Sequence, residues 1–216
     1  MIGAYRLPLR FDPAPLRAEV ADVARHVPWV NHWASEGDAW RIIPLLAANG
    51  GARPQPTAAL ERAPHVRDVL GMLRTEILHA RLSMLCAGTS IRRHRDFAYF
   101  RERRWSFERG FIRLHAPIVI DEHVTWRLED RPVDLQAGEI WYLNVCLPHS
   151  VENRSRQDRV HLVIEIAVND WVRGLFPPES AWDRLRGFAL RHLEPSLWAL
   201  VRPLWAVKRR LEGRPA

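Results

Sequence analysis

The spacing of hydrophobic and polar positions changes character along the chain. Leu16, Val20, Val23 and Ala24 recur at helical intervals and predict an amphipathic helix over residues 14–27. Residues 40–46 form a short apolar run that predicts a strand, and Pro44 puts it at an edge or a break. Asn49-Gly50-Gly51 predicts a turn, and residues 52–62, with Pro54 and Pro56, read as a loop. Val66, Val69, Leu70, Leu73 and Ile77 return to helical spacing and predict a second helix over 63–79. From Arg81 the period shifts to alternation. Residues 81–86, 112–120, 123–128, 131–135, 139–145, 149–153 and 159–168 read as strands. Gly88, Glu129-Asp130, Gly138 and the polar run 154–158 supply turns. About seven short strands, many at roughly 8–12-residue spacing, predict a sandwich or barrel, not a parallel βαβ sheet. Beyond Pro177 the pattern is helical again, with Pro203 interrupting the last helix.

No repeat, low-complexity tract or linker divides the chain. The expected organisation is one domain over 1–216: a mostly helical flank over 1–78, a β core over 79–171 and C-terminal helices over 172–216. The fold class is mainly β with flanking helices.

Composition narrows the class. With 47% hydrophobic residues, 26% charged residues and ten Trp, the chain is globular and not disordered. No apolar run reaches membrane-span length, and the N-terminus lacks the apolar stretch of a secretory signal. Cys86 and Cys146 make neither a disulfide framework nor a zinc spacing, and their apolar surroundings predict reduced, buried thiols. These features together favour the cytoplasm. The net charge is +7, and Lys208 is the sole lysine. Such a basic chain raises nucleic-acid binding, but the arginines are scattered and no aromatic-basic motif accompanies them. Arginine also pairs bidentately with carboxylates, so small acidic ligands suit it equally.

The chemistry centres on residues 91–96, Ile-Arg-Arg-His-Arg-Asp. On extended backbone His94 and Asp96 point to one face, so one metal ion can take both. A third ligand must come from another strand, and His149 opens one after Pro148. Two His and a carboxylate leave adjacent positions open on octahedral Fe(II), enough for a chelating cosubstrate and O₂. A His-x-Asp pair alone carries little weight, since about 0.5 such pairs arise by chance at this composition. Its companions add weight. Arg159 follows His149 across one turn and is suited to clamp a carboxylate. Arg113 and His115 form a second i, i+2 polar pair on a strand whose other face is Leu114, Ala116 and Ile118. That pair serves either an ion pair with Glu139 or Glu165, or a pocket for an anionic cosubstrate.

Three blocks, RLSMLCAGTSIRRHRD, IRLHAPI and GEIWYLNVCLPHSVENRSRQDRVHLVIEIAVNDW, resemble the aspartyl/asparaginyl β-hydroxylase family. Leu-Pro-His-Ser and Arg-Val-His-Leu-Val-Ile also resemble bacterial proline hydroxylases of the same superfamily. The resemblance covers residues 79–171. It implies a double-stranded β-helix (jelly-roll, cupin-like) core and an Fe(II)- and 2-oxoglutarate-dependent dioxygenase that uses O₂ and releases succinate and CO₂. It makes His94, Asp96 and His149 the iron ligands and Arg159 the partner of the cosubstrate's far carboxylate. It makes Ser83, Arg113 and His115 further cosubstrate contacts. Halogenating relatives of the wider class replace the carboxylate ligand with a small residue, so Asp96 favours hydroxylation. The resemblance implies a small-molecule or peptide substrate, from aspartyl or asparaginyl residues to free proline, without saying which.

Other segments have open roles. Residues 101–109 read as a charged loop with Trp105 and Phe107, either a substrate lid or a solvated loop. Trp40 and Arg41 read as core packing and surface charge, with pocket lining as the alternative. Asn169-Asp170-Trp171 reads as a helix cap. The apolar, basic-ended stretch 197–210 packs on its own domain or on a dimer mate, with peripheral membrane contact as the alternative. The rival functions are a cupin-like metal-binding protein without oxygenase activity, which would not need Arg159, and a nucleic-acid-binding module.

Overall fold

In chain order the elements are β1 (Ala4–Arg10), α1 (Pro13–His26), β2 (Val30–Asn31), β3 (Trp40–Ala47), β4 (Gln55–Pro56), α2 (Ala58–Glu61) and α3 (Pro64–Gly71). Then come β5 (Ile77–Leu85), β6 (Ser90–His94), β7 (Phe111–Val119), β8 (Val124–Leu128), β9 (Arg131–Val133), β10 (Glu139–Leu143), β11 (His149–Asn153), β12 (Arg159–Ala167) and α4 (Asp170–Gly174). The computed structural model describes residues 3–35, 37–47, 53–96, 110–178 and Ala181. Gly3–Phe176 cluster as one compact unit, and Met1–Ile2 with Pro177–Ala216 as another; all these elements belong to the first.

Two antiparallel sheets result. The larger runs β1-β10-β7-β12-β5-β3-β2, with β4 beside β3, and the smaller runs β6-β11-β8-β9. From β5 onward the chain alternates between the sheets, except at the β8–β9 hairpin. That is the double-stranded β-helix: four strands of one sheet (β10, β7, β12, β5) face the four of the other.

The larger sheet has two chemically different faces. Along β12, Val160, Leu162, Ile164 and Ile166 are buried and alternate with Arg159, His161, Val163 and Glu165. On β5 and β7 the same alternation sets Ala80, Leu82, Ile112, Leu114 and Ala116 against Arg81, Ser83, Arg113 and His115. The apolar face is covered by helices. Leu16, Val20 and Val23 are the buried stripe of α1, which packs on β7. Glu19, also buried on α1, caps α3 by accepting from His65 N at 2.6 Å and Val66 N at 3.0 Å. The polar face looks toward the smaller sheet.

Several expectations need correction. The second helix stops at Gly71, and Ile77 opens β5; after Met72 the chain re-enters extended backbone to pair with β12. Residues 52–62 are not simply loop, because Pro56 pairs with Leu46 at the outer edge of β3 and Ala58–Glu61 is helical. Pro tolerates such an edge because it owes no ladder hydrogen bond there. The N-terminal flank is as much sheet as helix, since β1 and β3 extend the larger sheet at its two sides. Pro44 sits next to a register shift between β3 and β5. Cys86 and Cys146 are free but half-buried, Cys86 because it follows the end of β5, just before the Gly88 turn. The turn at 49–51, the loop 101–109 and the helices expected beyond Pro178 lie outside the described residues. No helix among the described residues is long and apolar enough to cross a membrane.

Glu129 and Asp130 both have positive φ, 49° and 67°, as a two-residue type I′ hairpin requires. Gly138 is more constrained. Its φ is +87°, and a Cβ there would lie 2.6 Å from the Phe11 carbonyl oxygen and 3.2 Å from Pro13 Cδ. Gly88, at φ +69°, has open space around it. Gly88→Ala should therefore cost only the left-handed penalty of about 1–2 kcal/mol. Gly138→Ala should cost clearly more, because the collision with β1's exit adds to it. Paired denaturant titrations check the ranking.

Candidate metal centre

The ligand triad forms where β6 and β11 lie side by side. His94 and His149 are Cα partners across these two strands, so both imidazoles come from one rung of the smaller sheet. Asp96 follows the end of β6, anchored by its N–H donating to the Val145 carbonyl at 2.9 Å. The three donor atoms lie within 4.8 Å of one another. His94 Nε2 is 3.2 Å from Asp96 Oδ1, and His149 Nε2 is 3.9 Å from the same oxygen.

Each imidazole is held in the tautomer a metal needs. His94 Nδ1 lies 2.7 Å from the Arg92 carbonyl oxygen, and His149 Nδ1 lies 3.0 Å from that of Leu147. A carbonyl only accepts, so Nδ1 carries the proton and Nε2 presents its lone pair. Trp126 of β8 stacks flat on His149, with centroids 5.2 Å apart and planes at 4°. Burial lowers the His149 pKa to about 4, which keeps the ring neutral. For His94 burial pulls the pKa down, but the hydrogen bond to Asp96 prevails and raises it. Burial would raise the Asp96 pKa, yet the neighbouring Arg113 guanidinium overrides that and keeps it an anion, well below the usual carboxylate range. Two imidazoles and one carboxylate, with their donor atoms converging, are the donor set of a facial triad.

A cavity opens onto the triad, and Ser83, Arg113, His115 and Arg159 all line it. Arg159, 3% exposed, has no hydrogen bond or ion pair among the described residues, and burial lowers its pKa to about 10. His115 is neutral, its pKa pushed well below normal by burial, and neither ring nitrogen has a partner among the described residues. Ser83 Oγ accepts from Trp40 Nε1 at 2.9 Å, which leaves its own proton to donate. Arg113 is occupied. It donates to Asp96 Oδ2 through one terminal nitrogen and to Glu165 Oε1 through Nε at 3.1 Å and the other terminal nitrogen at 2.9 Å. Of the two readings of the 113/115 pair, Arg113 thus fits the ion pair, with Glu165 as partner. Glu139 instead holds Arg6 and Arg10 at the far edge.

The seven site residues expected from the sequence, Ser83, His94, Asp96, Arg113, His115, His149 and Arg159, all line this cavity. Trp40 corrects an expectation: it lines the pocket, and His32 stacks on it at 3.5 Å. The bulge beside Pro44 and the pairing of Trp40 with Leu85 bring that end of β3 to the cavity mouth. Asn169 caps α4 as expected, accepting from Val172 N at 2.9 Å. Trp126, Arg81 and His161 were not singled out. Arg81 lies two residues before Ser83 on the same face of β5, and His161 two after Arg159 on β12; that i, i+2 spacing was the available signal.

His32, His79 and His149 each have their pKa lowered to about 4, chiefly by burial. The unfolded chain therefore takes up protons first. Stability is fully present above pH about 6.5 and is lost as pH falls toward about 4. Denaturant titrations of chelator-treated protein should follow that slope, and His79→Gln should flatten it. Stability independent of pH in this window would contradict the burial of these rings.

The model described as aspartyl/asparaginyl beta-hydroxylase matches residues 13–168. L-proline cis-3-hydroxylase 2 of Streptomyces sp is 28% identical over 142 residues, 59% of this chain and 47% of that protein. L-proline cis-3-hydroxylase 1 of Streptomyces sp is 25% identical over 156 residues, 66% of this chain and 51% of that protein. The chain thus spans about half the length of these curated relatives. Among solved structures, an oxidoreductase of the 2OG-Fe(II) oxygenase family from Burkholderia pseudomallei aligns with TM-score 0.50 and 16% identity, over 76% of this chain and 84% of that one. A non-heme alpha-ketoglutarate-dependent carbocyclase from nogalamycin biosynthesis aligns with TM-score 0.53 and 12% identity, over 82% and 88%. The structural likenesses bear on the fold alone. The sequence match runs from α1 to the end of β12 and takes in every residue of the triad, and on it the chain belongs to the aspartyl/asparaginyl β-hydroxylase family.

Proposed function

We propose that this protein is an Fe(II)/2-oxoglutarate-dependent dioxygenase. It would hydroxylate an unactivated C–H of an amino acid, an amino-acid residue or a related small molecule, with release of succinate and CO₂. The observation that carries this reading is Arg159, a buried guanidinium with no acidic partner among the described residues, sharing one cavity with His94, Asp96 and His149. A buried cation without a counter-charge is costly, and a dicarboxylate cosubstrate removes that cost. A metal-binding protein that used no dicarboxylate would have no need of it.

In this reading His94 Nε2, Asp96 Oδ1 and His149 Nε2 hold the iron. Arg159 takes the cosubstrate's far carboxylate, with His115 and the Ser83 hydroxyl as further donors. The iron, when bound, supplies a seat for the near carboxylate and keto oxygen and the redox chemistry that activates O₂. The protein's own work is placement. The Arg92 and Leu147 carbonyls keep the Nδ1 protons of the two histidines where they are, so both Nε2 lone pairs stay available. Ile91, Val145, Val151 and Val163 line the cavity with apolar surface and limit water around the reacting centre. All the residues given roles here lie within the Gly3–Phe176 unit.

The test is turnover of 2-oxoglutarate by purified protein with Fe(II), read as succinate, alongside mass spectrometry for the gain of one oxygen atom on a candidate substrate. Free L-proline heads the panel, because two relatives are L-proline cis-3-hydroxylases. Aspartyl and asparaginyl peptides follow. His94→Ala or His149→Ala should abolish turnover. Arg159→Met should raise the 2-oxoglutarate requirement about 100-fold, in line with about 2–5 kcal/mol for losing one partner of a buried charge pair. Turnover that survives thorough iron removal would refute the proposal. Metal binding without any use of 2-oxoglutarate would leave a cupin-like metal protein.

A further inference from the structure

Arg113 and Arg159 both point into the cavity, but they are not equivalent. Arg159 is unopposed, whereas Arg113 is gripped from both sides. One of its terminal nitrogens holds Asp96 Oδ2, and its Nε and other terminal nitrogen both reach Glu165 Oε1. Glu165 Oε1 in turn accepts from Arg81 at 3.2 Å. The side chains of Arg113, Glu165 and Arg81 are 11%, 10% and 7% exposed. Two cations and two anions thus lie in line across the polar face of the larger sheet and end on a ligand of the candidate metal centre. The backbone fixes the line: Arg113 and Glu165 are Cα partners across β7 and β12.

The two oxygens of Asp96 are consequently committed to different tasks. Oδ1 faces the Nε2 atoms of His94 and His149, while Oδ2 is spoken for by Arg113. In this arrangement Oδ1 faces the histidine nitrogens while Oδ2 is drawn toward the guanidinium, which favours presenting one oxygen to an ion. We propose that Arg113 is a positioning residue. It restricts Asp96 to ligation through one oxygen and so keeps the neighbouring coordination position open for the cosubstrate, with Glu165 and Arg81 holding Arg113 in place. This departs from the cosubstrate-contact role that resemblance implies for Arg113. It rests on the metal-site reading above. Only a guanidinium suits the task, since it must bond Asp96 with one edge and Glu165 with the other; an ammonium offers a point charge and no fork.

Co(II), with its visible spectrum sensitive to coordination number, is the probe. Wild-type protein, Arg113→Met, Arg113→Lys, Glu165→Gln and Arg159→Met are loaded with Co(II) without 2-oxoglutarate. Arg113→Met and Glu165→Gln should change the Co(II) spectrum in the same direction, Arg113→Lys should restore it only in part, and Arg159→Met should leave it as wild type. Affinity for 2-oxoglutarate should then fall about 10-fold or more in Arg113→Met and Glu165→Gln. Glu165→Gln is the telling variant, because Glu165 touches neither metal donor nor cosubstrate seat, and Gln keeps its shape and an acceptor oxygen. If Arg113 were simply a cosubstrate contact, its removal would weaken 2-oxoglutarate binding and leave the Co(II) spectrum untouched, which overturns the proposal. A crystal structure of the wild-type Co(II) complex decides the matter without any variant: one Asp96 oxygen on the metal and the other on Arg113 supports it, and both on the metal defeats it. Failure of wild-type protein to bind Co(II) at all would instead overturn the metal-site reading.

Discussion

The pairing of His149 with His94 across β6 and β11 is the contact on which the site depends. It brings residues far apart in the chain to one rung of a ladder, where side chains on the same face lie a few ångströms apart. A slip of one residue would turn one imidazole to the opposite face. The register is held from several directions. β11 also pairs with β8 along its whole length, His149 opposite Leu128 and Asn153 opposite Val124. The Asn153 side chain donates to the Leu85, Cys86 and Gln157 carbonyls and so ties the end of β11 to the end of β5 and to the turn before β12. The Glu129 N–H donates to the Pro148 carbonyl at 2.8 Å just before His149. The rung is rigid because the strands around it are tied by bonds that have no part in the chemistry.

A second constraint is the cost of placing charge on the inner face of a sheet. Arg81, Arg113, Glu165 and Arg159 sit where an ordinary sandwich would have Val or Leu, and each loses most of its hydration. Three of them recover the loss by bonding to one another and to Asp96. Breaking such a group typically costs about 3–5 kcal/mol, because the partner left behind stays buried and charged. The apolar face of the same sheet must supply the compensating stability, and its nearly unbroken Leu, Ile and Ala surface under α1 is suited to that. Alternation at period two lets one strand serve both ends.

That alternation also decides how much could be read in advance. All the strands from β5 to β12 except β6 were legible because nearly every one keeps a clean period of two, bounded by Gly or a polar turn; β6, Ser90–His94, is polar and mostly exposed and shows no such alternation. His94, Asp96, His149 and Arg159 were legible as residue types that a strand would not otherwise carry inward. The flank was harder. In residues 63–79 the apolar positions fit a helix throughout, yet Ile77 belongs to β5, because pairing with β12 outweighs local spacing once Gly71 has ended the helix. β1 was overlooked because Leu7 is its one fully buried residue and prolines and arginines surround it. Trp40 looked like core because nothing in its neighbourhood announces that its indole N–H reaches the Ser83 hydroxyl on β5. The Arg113–Glu165 link needed the β7–β12 register, which spacing along the chain does not contain.

The two inward arginines show why residue identity alone underdetermines a role. Arg159 is buried and Arg113 nearly so, they lie on neighbouring strands of one face, and both line the same cavity. What separates them is the sign of what stands opposite. Arg113 meets two carboxylates, so its charge is already spent within the protein. Arg159 meets two neutral histidines, His115 and His161, whose protonation its own charge opposes. Protonating either ring would add to the uncompensated charge, so the pocket around Arg159 stays neutral but for the guanidinium and retains one unmatched positive charge. On the proposed function, an anion entering the cavity would be drawn to Arg159, whose charge is unopposed, and not to Arg113, whose charge two carboxylates already match.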